Sequence, residues 1–167
     1  MVAASNDRPN LMKVMQRIRV PLGFATAPLL LILARPTRYS LISGGFIALL
    51  GLATRAWASG HLRKNERLAT SGPYAFTRNP LYLGTFILGT GISVCSGSLI
   101  FIVFFEIAYL AVYVPVMIAE ARTMNELFAS EYPGYSRLVP LFLPRITPAR
   151  VGCSGPGADP GSLRFDR

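Results

Sequence analysis

Four apolar runs joined by short, basic or turn-forming links leave this chain few ways to fold. The runs are 20–34, 39–58, 81–95 and 99–119. A helix needs about 20 apolar residues to cross a bilayer, and a soluble domain has little reason to cluster apolar residues at that length. The first run is short, but Arg19 and Arg35 can extend it by snorkelling, and Pro28 is placed to kink it. Residues 11–19 precede it with apolar and basic positions at helical spacing. They fit an interfacial helix on anionic headgroups, or equally a charged flank.

Charge supports the membrane assignment. The 167 residues carry a formal net charge of +9, although only 15% are charged. The Lys and Arg residues are distributed by membrane side, not on one soluble face, which argues against nucleic acid. Arg8, Lys13, Arg17 and Arg19 precede the first run. Arg63, Lys64, Arg67 and Arg78 lie between the second and third, and Arg122, Arg137 and Arg145 follow the fourth. The positive-inside rule then places both termini and the central loop in the cytoplasm, with the Arg35/Arg38 turn as a minority signal against it. The expected architecture is an all-α integral membrane protein of about four transmembrane helices, with an N-terminal interfacial helix and a cytoplasmic cofactor pocket. Residues 1–19 form the N-terminal arm, 20–145 the membrane domain, and 146–167 a disordered Gly/Pro-rich tail. No cleavable signal peptide is expected, and the first run reads as a retained span in a plasma membrane.

Cys95 and Cys153 form no recognisable disulfide framework or zinc pattern, and the single His61 builds no metal site, so no metal is expected. The glycines of the second and third runs, Gly44, Gly45, Gly51, Gly84, Gly89 and Gly91, offer small-residue faces for close helix packing. Ser96-Gly97-Ser98 turns the third run into the fourth as a helical hairpin.

The central loop, RLATSGPYAFTRNPLYLG over 67–84, is the stretch richest in chemistry. Thr70-Ser71-Gly72-Pro73 breaks any helix, and Pro80 suits the first turn of the next one. A helix start beside Tyr hydroxyls, an Asn amide and an Arg suits an anionic or carboxylate-bearing ligand, or is an ordinary loop between spans. In the fourth run Glu106 lies among apolar residues, where an ionised carboxylate is costly. At 100° per residue Glu106, Tyr109, Tyr113 and Glu120 share a face. That face is either a polar stripe leading to a cytoplasmic site and a substrate, or a protonated Glu106 bonded to a neighbouring helix with packing tyrosines.

GPYAFTRNPLYLG over 72–84, followed by Glu120, Met124, Phe128, Tyr132, Tyr135, Val139 and Pro140, resembles the isoprenylcysteine carboxyl methyltransferase family and its bacterial relatives, which are also similar to phospholipid methyltransferases. The likeness covers about residues 40–145. It implies a membrane methyltransferase that uses S-adenosylmethionine, held between the central loop and the C-terminal segment. Carried over by position, the implied cofactor contacts are Glu66, Arg67, Leu68, Ala69, Tyr74, Asn79, Pro80, Leu81, Tyr82 and Glu120. Arg78 is placed either to neutralise the cofactor's carboxylate or, equally, to serve structure or face lipid. The acceptor implied is a small lipophilic molecule methylated on a carboxylate, oxygen or nitrogen, and no catalytic base is named. Three positions depart from the family. Asn79 stands where it often has His, Ala121 where it often has a second acid, and Val116 where the eukaryotic enzymes carry a substrate-binding Arg. The alternatives are a non-catalytic membrane scaffold that binds lipid or a partner, and a nicotinamide enzyme of the sterol-reductase type.

Overall fold

The computed structural model describes residues 28, 30–61 and 68–149. The expected interfacial helix, most of the first run, Glu66, Arg67, Cys153 and the tail beyond 149 lie outside the described residues. Among the described residues there is no strand. Residues 28 and 30–33 are helical, and from Arg38 on four helices follow one another: α1 (Arg38–His61), α2 (Pro80–Cys95), α3 (Leu99–Leu127) and α4 (Tyr132–Leu138), with a 3-10 turn at Gly72–Ala75.

Each boundary has a local cause. Before α1, Thr37 and Ser40 exchange side-chain acceptors, Ser40 N–H donating to Thr37 Oγ1 (3.1 Å) and Thr37 N–H to Ser40 Oγ (2.8 Å). This is a capping-box arrangement with Ser in place of the usual Glu. Pro80 opens α2, where its missing N–H costs nothing. Ser98 caps α3, its hydroxyl accepting from Phe101 N–H. Between α2 and α3 the chain reverses at Gly97, whose φ of +67° favours a residue without a Cβ. Pro115 lies inside α3 without ending it, and the helix runs on to Leu127. Pro133 and Gly134 do not simply break the chain: Pro133 takes the first turn of α4, where proline is tolerated.

α1 and α3 are long and apolar enough to cross a membrane, and only 17% of each apolar window is buried within the protein. A core helix of a soluble protein would be mostly buried. Here Ile42, Phe46, Leu49, Leu99 and Ile107 turn outward. α2 is apolar but has 16 residues, about 24 Å at 1.5 Å per residue, which is short for the hydrocarbon core.

α1 and α2 pack antiparallel with almost no side chain between them. A Cβ on Gly44 would stand 2.5 Å from the Gly91 carbonyl oxygen, and one on Gly51 2.8 Å from that of Gly84. The reciprocal distances are 2.7 Å from Gly91 to Gly44 O and 3.0 Å from Gly84 to Gly51 O. The seven-residue spacing of each glycine pair keeps both on one face over two turns. α3 is held to α2 differently, by Phe105 against Gly89 and by the Thr90 hydroxyl donating to Glu106 Oε1 (2.6 Å). At the hairpin tip Arg35 N–H donates to Ser96 O (2.7 Å), so the turn before α1 and the turn between α2 and α3 share one end of the molecule.

This interface separates two superficially similar substitutions. Gly91→Ala meets the Ala48 backbone and should destabilise by about 1–3 kcal/mol, the usual penalty of overpacking. Gly45→Ala meets nothing within 4 Å and should be neutral or stabilising by up to about 1 kcal/mol through helix propensity. Thermal unfolding of the detergent-purified variants checks the contrast.

Candidate functional site

At the end of the bundle opposite the hairpin tip, α2 and α3 bring a tyrosine and a carboxylate together. Tyr82, in the first turn of α2, donates its hydroxyl to Glu120 Oε1 on α3 at 2.7 Å. An O–H bonded to a carboxylate is stronger than a neutral pair, so the two are aimed at one another. The Tyr82 ring lies 5.5 Å from Tyr113, Tyr113 stacks on Tyr109 at 4.2 Å and 15°, and the Tyr109 hydroxyl returns to Tyr82 O at 2.8 Å. Phe86 and Phe105 pack on the far side of Tyr109, at 5.3 and 5.8 Å. Arg55 on α1 donates to the Thr85 hydroxyl, which donates in turn to Leu81 O (2.8 Å). The loop-side part of the bundle therefore holds a carboxylate, a guanidinium and a ladder of aromatic rings that runs along α3 from Tyr109 towards Glu120. Cationic or aromatic ligand groups suit such a ladder.

Glu106 is not part of it. Fourteen residues separate it from Glu120, about 21 Å along the helix. Its carboxylate is taken up by Thr90 of the neighbouring helix. Of the four residues placed along the polar stripe, Tyr109, Tyr113 and Glu120 meet Tyr82, and Glu106 joins α2 to α3 elsewhere.

The loop side is laced to the C-terminal segment. Arg78 N–H donates to Pro140 O (3.0 Å), Arg145 N–H to Phe76 O (2.9 Å) and Ala149 N–H to Ala75 O (2.9 Å). The Thr77 hydroxyl donates to Phe142 O (2.9 Å), and Asn79 Nδ2 to Leu141 O (2.9 Å). Phe86 meets Phe142 edge-on at 5.5 Å. The segment after α4 thus answers the loop's polar groups, and the pairing continues past residue 145 to Ala149. Asn79 sits at the cap position of α2 but makes no side-chain cap; its amide goes to Leu141 instead.

Beneath this lacing lies a small core of Tyr132, Tyr135 and Val139, with Leu68 and Ala121 packed against it. The Tyr135 hydroxyl donates to Tyr74 O (2.7 Å). Tyr74 itself is buried, so its ring is enclosed by the protein, and Pro80 is fully buried under the helix start. Leu68, Ala69, Asn79, Leu81, Tyr82 and Glu120 keep partial exposure. Sequence spacing does not reveal Thr77, which is 1% exposed and ties the loop down, or Arg55 as a neighbour of Thr85. The only signal for Arg55 was a cation near the end of an apolar run.

Outside the Tyr82–Glu120 pair, a cleft of about 700 Å³ runs between α3 and the loop, with Arg78, Arg122, Asn125 and Glu126 on its walls. Arg78 Nη1 donates to the Tyr132 hydroxyl (3.1 Å). Among the described residues no group of His, Cys, Asp and Glu could hold a metal ion.

The profile of the family described as phospholipid methyltransferase matches residues 41–131, from α1 through the loop and α2 to the end of α3. The cobalt-zinc-cadmium resistance protein CzcN of Cupriavidus metallidurans is 33% identical over 102 residues, covering 59% of this chain and 47% of that protein. The nickel-cobalt-cadmium resistance protein NccN of Alcaligenes xylosoxydans xylosoxydans is 30% identical over 95 residues, covering 56% of this chain and 44% of that protein. The chain spans about half the length of the curated relatives it matches. No solved structure matches.

Burial pushes the phenols of Tyr74 and Tyr135 above the ordinary tyrosine range, with Tyr132 adding to the effect at Tyr135 and Arg78 opposing it. Below about pH 9 the folded and unfolded chains both keep these protons, so neither group changes stability. Above about pH 10 the unfolded chain releases protons that the folded chain retains, and stability falls. Tyr135→Phe should cost about 1 kcal/mol at neutral pH through the lost bond to Tyr74 O, and should make the alkaline fall shallower. Thermal unfolding between neutral and alkaline pH measures both.

Proposed function

The chain belongs to the phospholipid methyltransferase family, a family of membrane methyltransferases, and on that premise we propose that it uses S-adenosylmethionine to methylate a small lipophilic acceptor. The acceptor atom in this proposal is a carboxylate oxygen, or another oxygen or nitrogen. The observation that carries the proposal is the Tyr82–Glu120 bond beside the Tyr109–Tyr113 stack, at the level where the central loop meets the C-terminal segment.

The donor set fits the cofactor. S-adenosylmethionine, when bound, supplies an activated methyl on a sulfonium centre. Its amino group and ribose hydroxyls call for an acceptor such as Glu120, and its adenine and sulfonium call for aromatic faces such as Tyr82 and Tyr113. Asn79, Leu81, Leu68 and Ala69 border the same side of the loop and keep partial exposure. In this proposal Glu66 and Arg67 complete the contacts, while Tyr74 and Pro80 act by holding the loop. With the methyl already activated, these residues contribute chiefly by positioning, and a carboxylate acceptor needs no base.

The topology proposed with this function has about four spans, both termini and the cofactor pocket in the cytoplasm, and a plasma-membrane location. The distribution of Lys and Arg supports it. Asn79 and Ala121, which differ from the common family pattern, both have packing roles: Asn79 holds Leu141, and Ala121 lies on the Tyr132–Tyr135 core. Those roles leave room for a non-catalytic scaffold as the second reading. Both matched relatives carry names for metal resistance. We extend that setting to this chain, with the methylated acceptor as a membrane component.

Calorimetric titration of the detergent-purified protein with S-adenosylmethionine tests the proposal. Saturable binding is expected, weakened about tenfold or more by Glu120→Ala and by Tyr82→Ala, and changed much less by Glu106→Gln. Equal losses from all three would refute the placement of the cofactor. A folded protein that binds none would favour the scaffold.

A further inference from the structure

The cleft on the other side of the loop has a chemistry that the Tyr82–Glu120 pair does not explain. Its lining joins polar groups of Arg78, Arg122, Asn125 and Glu126 to the apolar side chains of Ile118 and Leu141. Ile118, Arg122, Asn125 and Glu126 recur at i, i+4, i+7 and i+8, so one face of α3 supplies a whole wall. Among the described lining residues two guanidinium groups stand against the one carboxylate of Glu126, a positive balance.

Arg78 is fixed in place before any ligand arrives. Its backbone N–H is bonded to Pro140 O, its Nη1 donates to Tyr132, and its guanidinium carbon lies 5.9 Å from the centre of the Tyr132 ring. Yet Arg78 Nε is buried and, among the described residues, has no hydrogen-bond partner. A buried N–H left unmade costs about 1–3 kcal/mol. The planar fork of a guanidinium is best satisfied by a carboxylate or phosphate, which accepts two parallel bonds. Arg122 is exposed on the facing wall and adds a second cation. The geometry points to an oxyanion-binding site at Arg78 and Arg122 that takes the phosphate or carboxylate head of a membrane amphiphile, with its apolar portion directed along Ile118 and Leu141.

This site is separate from the one proposed for the cofactor. Neither Tyr82 nor Glu120 lines the cleft, and Glu120 is drawn towards α2 by the Tyr82 hydroxyl. Leu141 stands between them: it lines the cleft, while its carbonyl accepts the Asn79 amide. The apolar lining distinguishes an amphiphile from free phosphate. Ile118 is 41% exposed and lies on the part of α3 that is still apolar, so a ligand with a tail buries surface that inorganic phosphate leaves open.

The full chain in neutral detergent, titrated calorimetrically with dihexanoyl phosphatidylglycerol, dihexanoylglycerol or inorganic phosphate, tests this. Saturable binding of the phosphatidylglycerol is expected, at least about tenfold tighter than either comparison ligand, the loss of one charge-assisted bond being worth about that much. Arg122→Gln should weaken it about tenfold, and Arg122→Lys should recover part of the loss by keeping the charge without the fork. Among the described residues Arg122 makes no hydrogen bond of the kind that holds Arg78, so it is the variant to read first; Arg78→Lys should weaken binding as well. Equal binding of the uncharged dihexanoylglycerol, or no effect of Arg122→Gln, would overturn the oxyanion site. Inorganic phosphate bound as tightly as the lipid would overturn the amphiphile. Loss of S-adenosylmethionine binding in Arg122→Gln would overturn the separation of the two sites. A wild-type protein that binds the lipid but no S-adenosylmethionine would support this site while counting against the proposed cofactor.

Discussion

α1 and α2 approach so closely that backbone meets backbone, and the position of the loop-side groups follows from that contact. In a bilayer, lipid tails are as apolar as Leu, so helices gain little by merely hiding apolar side chains from their surroundings. Association has to come from packing, and glycine at Gly44, Gly51, Gly84 and Gly91 allows it. With the two backbones in register, Arg55 is laid beside Gly84 and reaches Thr85. The start of α2 is then held where Tyr82 can meet Glu120 across the hairpin. A bulky residue in the seam would shift the helix that carries Tyr82, so the packing of α1 bears on a site to which its glycines contribute no side chain.

A second constraint comes from the loop's polar groups. The chain between α1 and α2 has lost helical hydrogen bonding at Gly72, Pro73 and Pro80, and each freed or buried group needs a partner. The segment after α4 supplies them through the carbonyls of Pro140, Leu141 and Phe142, while Arg145 and Ala149 return donors to Phe76 and Ala75. This lacing confines Arg78 on one side and Asn79 on the other. Of these two neighbouring residues Arg78 lines the cleft along α3, while the Asn79 amide is taken up by Leu141 O.

Ionisable groups within the apolar helices are handled in contrasting ways. Glu106 is matched to a hydroxyl of the adjacent helix, which satisfies it locally and ties the hairpin together. Glu120 is matched to a phenol that itself belongs to an aromatic ladder, so the same carboxylate chemistry lies next to aromatic faces. Shared helical phase put both acids on one stripe, but position along the axis gave them different neighbours.

The apolar runs, the glycine spacing, the start of α2 at Pro80 and the reversal at Gly97 were legible in the sequence because each is a local property of a few consecutive residues. Two motifs also placed the chain in its family, since their spacing along the helix and loop survives as text. The same sequence did not show that Tyr74 is enclosed, that the segment after α4 pairs with the loop, or that Arg78 Nε has no partner among the described residues. Those outcomes depend on contacts such as Thr77 to Phe142, 65 residues apart, and Tyr82 to Glu120, 38 apart. Periodicity and turn chemistry determine which segments are helical and where they stop. Only the folded chain decides which polar groups find one another, because a hydrogen bond requires a distance and direction that sequence separation does not encode.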